Sequence, residues 1–352
     1  MKFNRYKREC QYPLRRISET AEMAEAAEAV PPRTVNLNPP NRQPEAVSVY
    51  FLDHEIFSRG QMEIPNIDSA IPSKISDMLG DFTSIRETAT EYFRSVHCWW
   101  SIISQQSFYS RLINPLVPRR GDAALLLLCM KLIIWSPSLE EPDPRTVLYF
   151  ATKHYITEIE TAGTFNIRTL QSGVLIALYE VANGIYPSAL LTISSCARYG
   201  KALGISLKST VGSGRSLNYF ESEERRRTWW AILILDRFSN IGYPGRGFEI
   251  DDQGPEDLLP ADDTAWDIGM LSPDDAMTIS CPLTARMGRF AKLAQASHLL
   301  RLVFQHVSDS SMDPVFRQRQ ALQLEKTLQA LIRMFTAALK GPGAAHAMIC
   351  YR

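Results

Sequence analysis

Two groups of residues in this 352-residue chain carry charge at spacings that could do chemistry. The first is the block Glu221-Ser-Glu-Glu-Arg-Arg-Arg-Thr-Trp-Trp-Ala-Ile-Leu-Ile-Leu-Asp-Arg, ending at Arg237. Arg225, Arg226 and Arg227 make an anion or DNA contact if they face solvent. If they face inward, they pair with Asp236 or with acids on a neighbouring helix while Trp229 and Trp230 fill the core, and this structural reading is preferred. Glu221 with Arg225 and Glu223 with Arg227 stand at the stabilising i,i+4 spacing. The acids at the start of the block suit the positive end of a helix dipole. The second group is Met1–Arg16, where Lys2, Arg5, Lys7, Arg8, Arg15 and Arg16 surround Cys10 against the single acid Glu9, a tip of net charge +5. Coulomb attraction to phosphate is the binding that such a tip supplies.

Other chemistry finds little support. No His-Glu-x-x-His, Gly-x-Ser-x-Gly or Walker-type phosphate string occurs. Gly212-Ser213-Gly214 lacks a third glycine and a preceding strand, and reads as a loop. His298 and His306 are eight residues apart, about two helical turns, which shares a face without closing on one ion. Asp251, Asp252, Glu256, Asp257, Asp262 and Asp263 form an acidic stretch whose spacing fits no calcium loop, and it reads as a solvated connector. No catalytic residue is assigned, and the expectation is that the protein is not an enzyme.

The elements that must position these charges follow from the composition. Lys plus Arg and Asp plus Glu number 38 each, with 45% hydrophobic and 22% charged residues. These are values of an ordinary globular chain, not of a polybasic one. The six cysteines, at 10, 98, 129, 196, 281 and 350, are too far apart for a metal clip or redox pair and predict a reducing, intracellular setting. The longest apolar run, Ala123–Trp135, has 13 residues. It is too short to span a bilayer and suits a buried core helix, so no membrane partner is expected.

Residues 17–84 read as a linker with seven prolines between Pro31 and Pro72. Helical periodicity then takes over, over Ile85–Ile113 with a break near Ser101–Ser107, Asp122–Trp135, Pro142–Thr161, Asn166–Gly184, Pro187–Gly204 and Glu221–Asn240. Further helices are expected at about 276–308 and 312–340. Asn166 is a cap-type residue, and Gly184 and Gly204 are stops. Strand signals are nearly absent, so the fold class is all-α: a multi-helical body, residues 85–352, behind a basic, proline-containing and disordered N-terminal segment.

The run Glu224-Arg-Arg-Arg-Thr-Trp-Trp…Leu235-Asp236-Arg237-Phe238-Ser239…Gly245-Arg246…Asp251…Leu259-Pro260 resembles the signature of the fungal-specific transcription factor domain, the middle homology region of zinc binuclear-cluster regulators. Thr169-Leu-Gln…Leu178-Tyr-Glu…Gly184…Ala197-Arg198-Tyr-Gly-Lys-Ala-Leu203-Gly204 and Tyr92-Phe93…His97…Ser107-Phe108 resemble the same domain, so that the likeness covers about 88–265 in order. The resemblance implies an all-helical, non-catalytic regulatory domain that restrains an activation function and, in some members, responds to small molecules. It makes Arg225, Arg226, Arg227, Trp229, Trp230, Asp236, Arg237, Gly245 and Arg246 signature residues of structural type. It further implies a nuclear transcription regulator of RNA polymerase II genes, with a metabolic or secondary-metabolite pathway as the target. The loop Gly242-Tyr-Pro-Gly245-Arg246-Gly247 departs from the family's Gly-Arg-Pro, and the added glycine predicts a more mobile loop.

By the same resemblance, residues 1–16 look like the C-terminal edge of a zinc-cluster DNA-binding module, with Cys10 in the place of its sixth cysteine. One thiolate cannot bridge two zinc ions, so no cofactor is expected in this chain, and zinc only if an upstream cluster is restored. Either the chain begins downstream of a segment encoding that cluster, or it acts without its own reader. The expected partners are DNA, bound weakly and without sequence preference through Lys2, Arg5, Lys7, Arg8, Arg15 and Arg16, a homo- or heterodimer with related regulators, and a small-molecule effector. The alternatives are a helical module that binds a ligand or partner and modulates full-length regulators without touching DNA, and, more remotely, a helical enzyme.

Overall fold

The computed structural model describes residues 70–112, 119–137, 142–205, 219–242, 247–251, 253–272, 276–282, 287–309 and 311–339. Among them lie helices α1 (Ser73–Leu79), α2 (Phe82–Ser95), α3 (Gly121–Ile133), α4 (Val147–Thr161) and α5 (Ile167–Ala182). These are followed by α6 (Ser188–Ala202), α7 (Tyr219–Ser239), α8 (Asp263–Ile268), α9 (Arg289–Ser308) and α10 (Pro314–Leu339). A short turn, Gln105–Ser107, runs into a π-helical stretch, Phe108–Leu112, where the sequence predicted a break after residue 101. The all-α expectation holds: the described residues contain only an isolated bridge between Leu258 and Thr278. None of the described helices is long and apolar enough to cross a membrane.

Three helices form the centre. Helix α3 is buried on every side from Gly121 to Met130, α5 from Thr169 to Glu180, and α7 from Arg226 to Arg237. Helices with apolar residues all round belong in the interior of a larger body. Helix α5 packs against α3, α6, α4 and α7, while α9 lies on α7 and α10 on α9. Helices α6 and α7 approach closely at Gly200, where a Cβ would stand 2.6 Å from Trp229 Cζ3. Only a glycine admits α7 at that separation from α6.

Local chemistry sets the helix ends. Asn166 caps α5 by accepting from Thr169 N, and Gly184 and Gly204 stop α5 and α6 with φ of 63° and 66°. Helix α4 starts at Val147 behind Thr146, not at Pro142, because Pro144 restricts the residue before it to extended backbone. The residue at the cap of α3 is Arg120, and Asp122 sits inside the first turn.

The folded body also begins earlier than the periodicity predicts. Ile75 and Leu79 of α1 are buried in it. Lys131, the one cation in the apolar run of α3, donates Nζ to the carbonyl of Met78 at 2.6 Å. This satisfies an orphan acceptor at the end of α1.

The acidic stretch is solvated only in part, at Asp251 and Glu256. Gln253, Asp257, Leu259 and Ala261 are buried beside α7. Residues 276–280 run back along this segment, with Leu259 N donating to Met277 O at 2.8 Å and Ile279 N to Asp257 O at 3.0 Å. That extended pairing is why the helix expected from 276 starts only at Arg289.

Candidate functional site

Helix α7 carries the signature block, and its charges turn inward. Glu223 accepts from Arg227 Nε at 2.8 Å, from Arg226 Nη1, and from the backbone N of Ala261 at 2.7 Å. Arg227 spends its remaining donors on Ser101 O at 3.1 Å, Asp263 Oδ1 at 2.9 Å and Ala261 O at 2.8 Å. Its guanidinium also lies 4.9 Å from the ring centroid of Trp266. A buried charge is tolerated only when its hydrogen-bonding capacity is used in this way. Asp263 then accepts from Phe290 N at 3.1 Å and from Ser101 Oγ at 3.0 Å. One carboxylate therefore joins α7, α8, α9 and the segment after α2. Gly288 is the residue that permits it, since a Cβ there would meet Asp263 Oδ2 at 2.8 Å.

A second buried pair closes the far end of α7. Asp236 and Arg237 bond to each other, Arg237 Nη2 donates to Ile250 O at 2.9 Å, and Phe248 stacks 4.0 Å from the guanidinium carbon. Burial pushes the Asp236 carboxyl up, opposed by Arg237 and by the backbone amides of Glu249 and Ile250. Between the two networks, Trp230 Nε1 donates to Leu258 O at 2.9 Å. Together these bonds anchor the 249–263 segment along the helix.

Beside the first network lies a cleft of about 820 Å³ between the Gln105–Leu112 turns, the start of α5 and the start of α7. Its floor is polar. Glu224 Oε1 accepts from Gln171 Nε2 at 3.0 Å and from Ser104 N at 3.5 Å, and burial raises the Glu224 carboxyl above its ordinary range. Buried Asp122 accepts from Asn166 Nδ2 at 2.9 Å and Arg168 Nη1 at 3.2 Å. Successive glutamates thus have opposite uses, with Glu223 consumed by the core and Glu224 presented to the cleft.

Of the residues singled out in the sequence, Arg226, Arg227, Trp229, Trp230, Asp236 and Arg237 are buried and converge on one helix. Arg225 lines the cleft and donates Nη1 to Leu203 O at 3.3 Å. The i,i+4 pair of Glu223 with Arg227 forms, while the partner of Arg237 is its neighbour Asp236. Gly245, Arg246, Gly212–Gly214, Cys10 and the cations Lys2, Arg5, Lys7, Arg8, Arg15 and Arg16 lie outside the described residues. Sequence reasoning missed the roles of Gln171, Glu224 and Asp263. Gln171 and Glu224 stand within the quoted motifs, but only tertiary contact separates them from their neighbours.

The buried thiols are not prepared for nucleophilic work, since burial pushes Cys196 up to about 12 and Cys129 further. No group of three or more His, Cys, Asp or Glu stands together to hold a metal ion among the described residues.

Comparison with known proteins decides the family. The model of the fungal specific transcription factor domain matches residues 89–308. The chain belongs to this family. It is 34% identical over 183 residues to Transcription factor BOA15 of Botryotinia fuckeliana (strain B05.10), covering 51% of this chain and 99% of that protein. It is 24% identical over 233 residues to Transcription factor tazR of Aspergillus terreus (strain NIH 2624 / FGSC A1156), covering 64% of this chain and 35% of tazR. It is also 24% identical over 195 residues to the Pigment biosynthesis transcriptional activator pigB of Monascus ruber, 51% of this chain and 34% of pigB. The chain thus spans about a third of tazR and pigB. No solved structure matches it. As a family member it is a fungal transcription regulator, and the fully buried ion pairs of α7 belong to the family's domain.

Proposed function

We propose that this chain works in the nucleus as the regulatory half of a transcription switch for a biosynthetic pathway, and performs no catalysis of its own. The observation that carries the reading is the match of the family domain over residues 89–308. The structure supports it physically. The charged residues most suggestive of chemistry, Glu223, Arg227, Asp236 and Arg237, are committed to one another inside the core, whereas Glu224 is left facing an open cleft. A domain of this kind transmits occupancy of a surface to a tethered function. The name of pigB supports a pigment or other secondary-metabolite pathway as the target.

In this reading DNA contact by residues 1–16 is electrostatic and carries no base specificity. The second reading is a module that binds a ligand or partner and modulates full-length regulators without touching DNA.

Deletion of the gene followed by transcript sequencing tests the proposal. A coordinated change in a block of biosynthetic transcripts is expected. An unchanged transcriptome under conditions where the protein is expressed overturns it, and turnover of a metabolite by the purified chain overturns its non-catalytic part.

A further inference from the structure

We propose that the cleft between the Gln105–Leu112 turns, α5 and α7 binds a small molecule bearing a protonated amine on an apolar body, with Glu224 as the group that recognises the amine. The inference rests on the sensing role assigned to the domain above and names the ligand class of that cleft.

The volume of about 820 Å³ suits a metabolite of drug-like size. The recognising carboxylate is built, not incidental. Gln171 is buried and locked by donating Nε2 to Ile102 O at 2.8 Å, and from that fixed position it also donates to Glu224 Oε1. Both bonds on Glu224 go to the same oxygen. Among the described residues no group donates to Oε2, and on the half-buried Glu224 side chain this is the oxygen left to the cleft.

The surrounding charges leave that oxygen under-neutralised. Arg168, the cation nearest in effect, is drawn to Asp122 at 3.2 Å, and Arg225 donates to Leu203 O. Glu221 adds a second negative charge on the rim, and Arg111, the remaining arginine of the lining, is exposed. The raised Glu224 carboxyl is what a desolvated carboxylate without its own cation should show, and an ammonium group would reverse it. Ile103, Phe108, Leu112, Leu126 and Phe220 supply apolar lining for the rest of the ligand.

The test titrates the full chain with three probes of one shape and different head group: 2-phenylethylamine, 3-phenylpropionate and 2-phenylethanol, read by ligand-observed NMR. The amine is expected to bind at least about tenfold more tightly than the acid or the alcohol, the gain of one charge-assisted hydrogen bond. Glu224→Gln should remove that preference and leave the alcohol unchanged. The exposed rim variant Glu221→Arg, which does not touch the core, should weaken the amine about threefold, as expected for a solvent-screened charge. Equal binding of the three probes, tighter binding of the acid, no binding, or an amine affinity indifferent to both variants overturns the assignment. None of these outcomes bears on the transcript experiment, so ligand class and regulator role fail separately.

Discussion

Arg227 donates Nε to Glu223 Oε1 at 2.8 Å one helical turn away, and both side chains are fully buried. A surface pair at this spacing contributes a few tenths of a kcal/mol, whereas removing one partner of a buried pair strands the other charge. Arg227→Met should therefore lower the unfolding free energy by about 3–5 kcal/mol. Glu223→Leu combined with Arg227→Met should cost less than the sum of the single changes. Urea denaturation of the three variants measures both.

Gly200 should resist even the smallest enlargement. Gly200→Ala places a methyl 2.6 Å from Trp229 Cζ3, and both partners sit on packed helices. The expected loss is about 1–3 kcal/mol, the usual cost of overpacking. Combining it with Trp229→Phe should give a double variant less destabilised than additivity requires, read again by denaturant midpoints.

The acid limb of stability carries an unusual sign at Glu224. A carboxyl whose pKa is raised on folding binds more protons in the native state. Its contribution is thus greatest below the unfolded value and is lost as pH rises through the folded one. Relative to the parent, Glu224→Gln should gain stability from about pH 4 upward and level off above the raised value. Denaturation at several pH values between those limits checks the slope. A gain that instead appears on acidification contradicts the burial of this group.

Glu180 binds α4 to α6 through a single oxygen. Tyr149 Oη donates to Oε1 at 2.7 Å, Ser188 Oγ at 2.6 Å and Lys153 Nζ approaches to 3.0 Å, while buried Oε2 has no partner. Tyr149→Phe should cost about 1–2 kcal/mol, since two donors remain to hold the charge. Glu180→Leu should cost more than Tyr149→Phe, because it removes the shared acceptor and leaves Lys153 with Thr192 Oγ1 alone and the two hydroxyls with each other. Thermal unfolding of both variants orders them.

DNA binding by the chain should be salt-controlled. The tip of net charge +5 contains Arg15 and Arg16, and changing both to Ala should weaken binding equally on unrelated duplexes and reduce the salt slope by about two. Fluorescence anisotropy across salt concentrations measures this, and strong preference for one sequence contradicts it.

The fold was legible wherever periodicity and caps agree. Asn166, Gly184 and Gly204 mark helix ends because each acts on backbone within a few residues of itself. The buried helix Gly121–Ile133 follows from the apolarity of the run that begins at Ala123. What escaped was set by contacts distant in sequence. The acidic stretch looked solvated because carboxylates usually are, yet its Asp263 is held by Arg227, 36 residues away. Helix α1 escaped because its seven residues show too little repeat, and Lys131, which holds its end, lies 53 residues later. The cleft has no local signature at all. Glu223 and Glu224 are identical in type and adjacent, and only the direction of each side chain separates a core ion pair from a candidate recognition group.

The bonds of Asp263 couple the seating of α8 and α9 to Arg227. The carboxylate that accepts from Arg227 through one oxygen holds the first turn of α9 through the other, so a slide of α9 by a fraction of a turn strains both bonds, with Glu223 remaining as the arginine's counter-charge. A displacement that broke them would cost Arg227, which lies between Trp266 and Phe290, one of its two carboxylates. Packed cores with such charges move between discrete arrangements instead of deforming continuously. Helices α8 and α9 are in effect a latch with Arg227 as its tooth, and whatever acts on this domain through them acts on that arginine too.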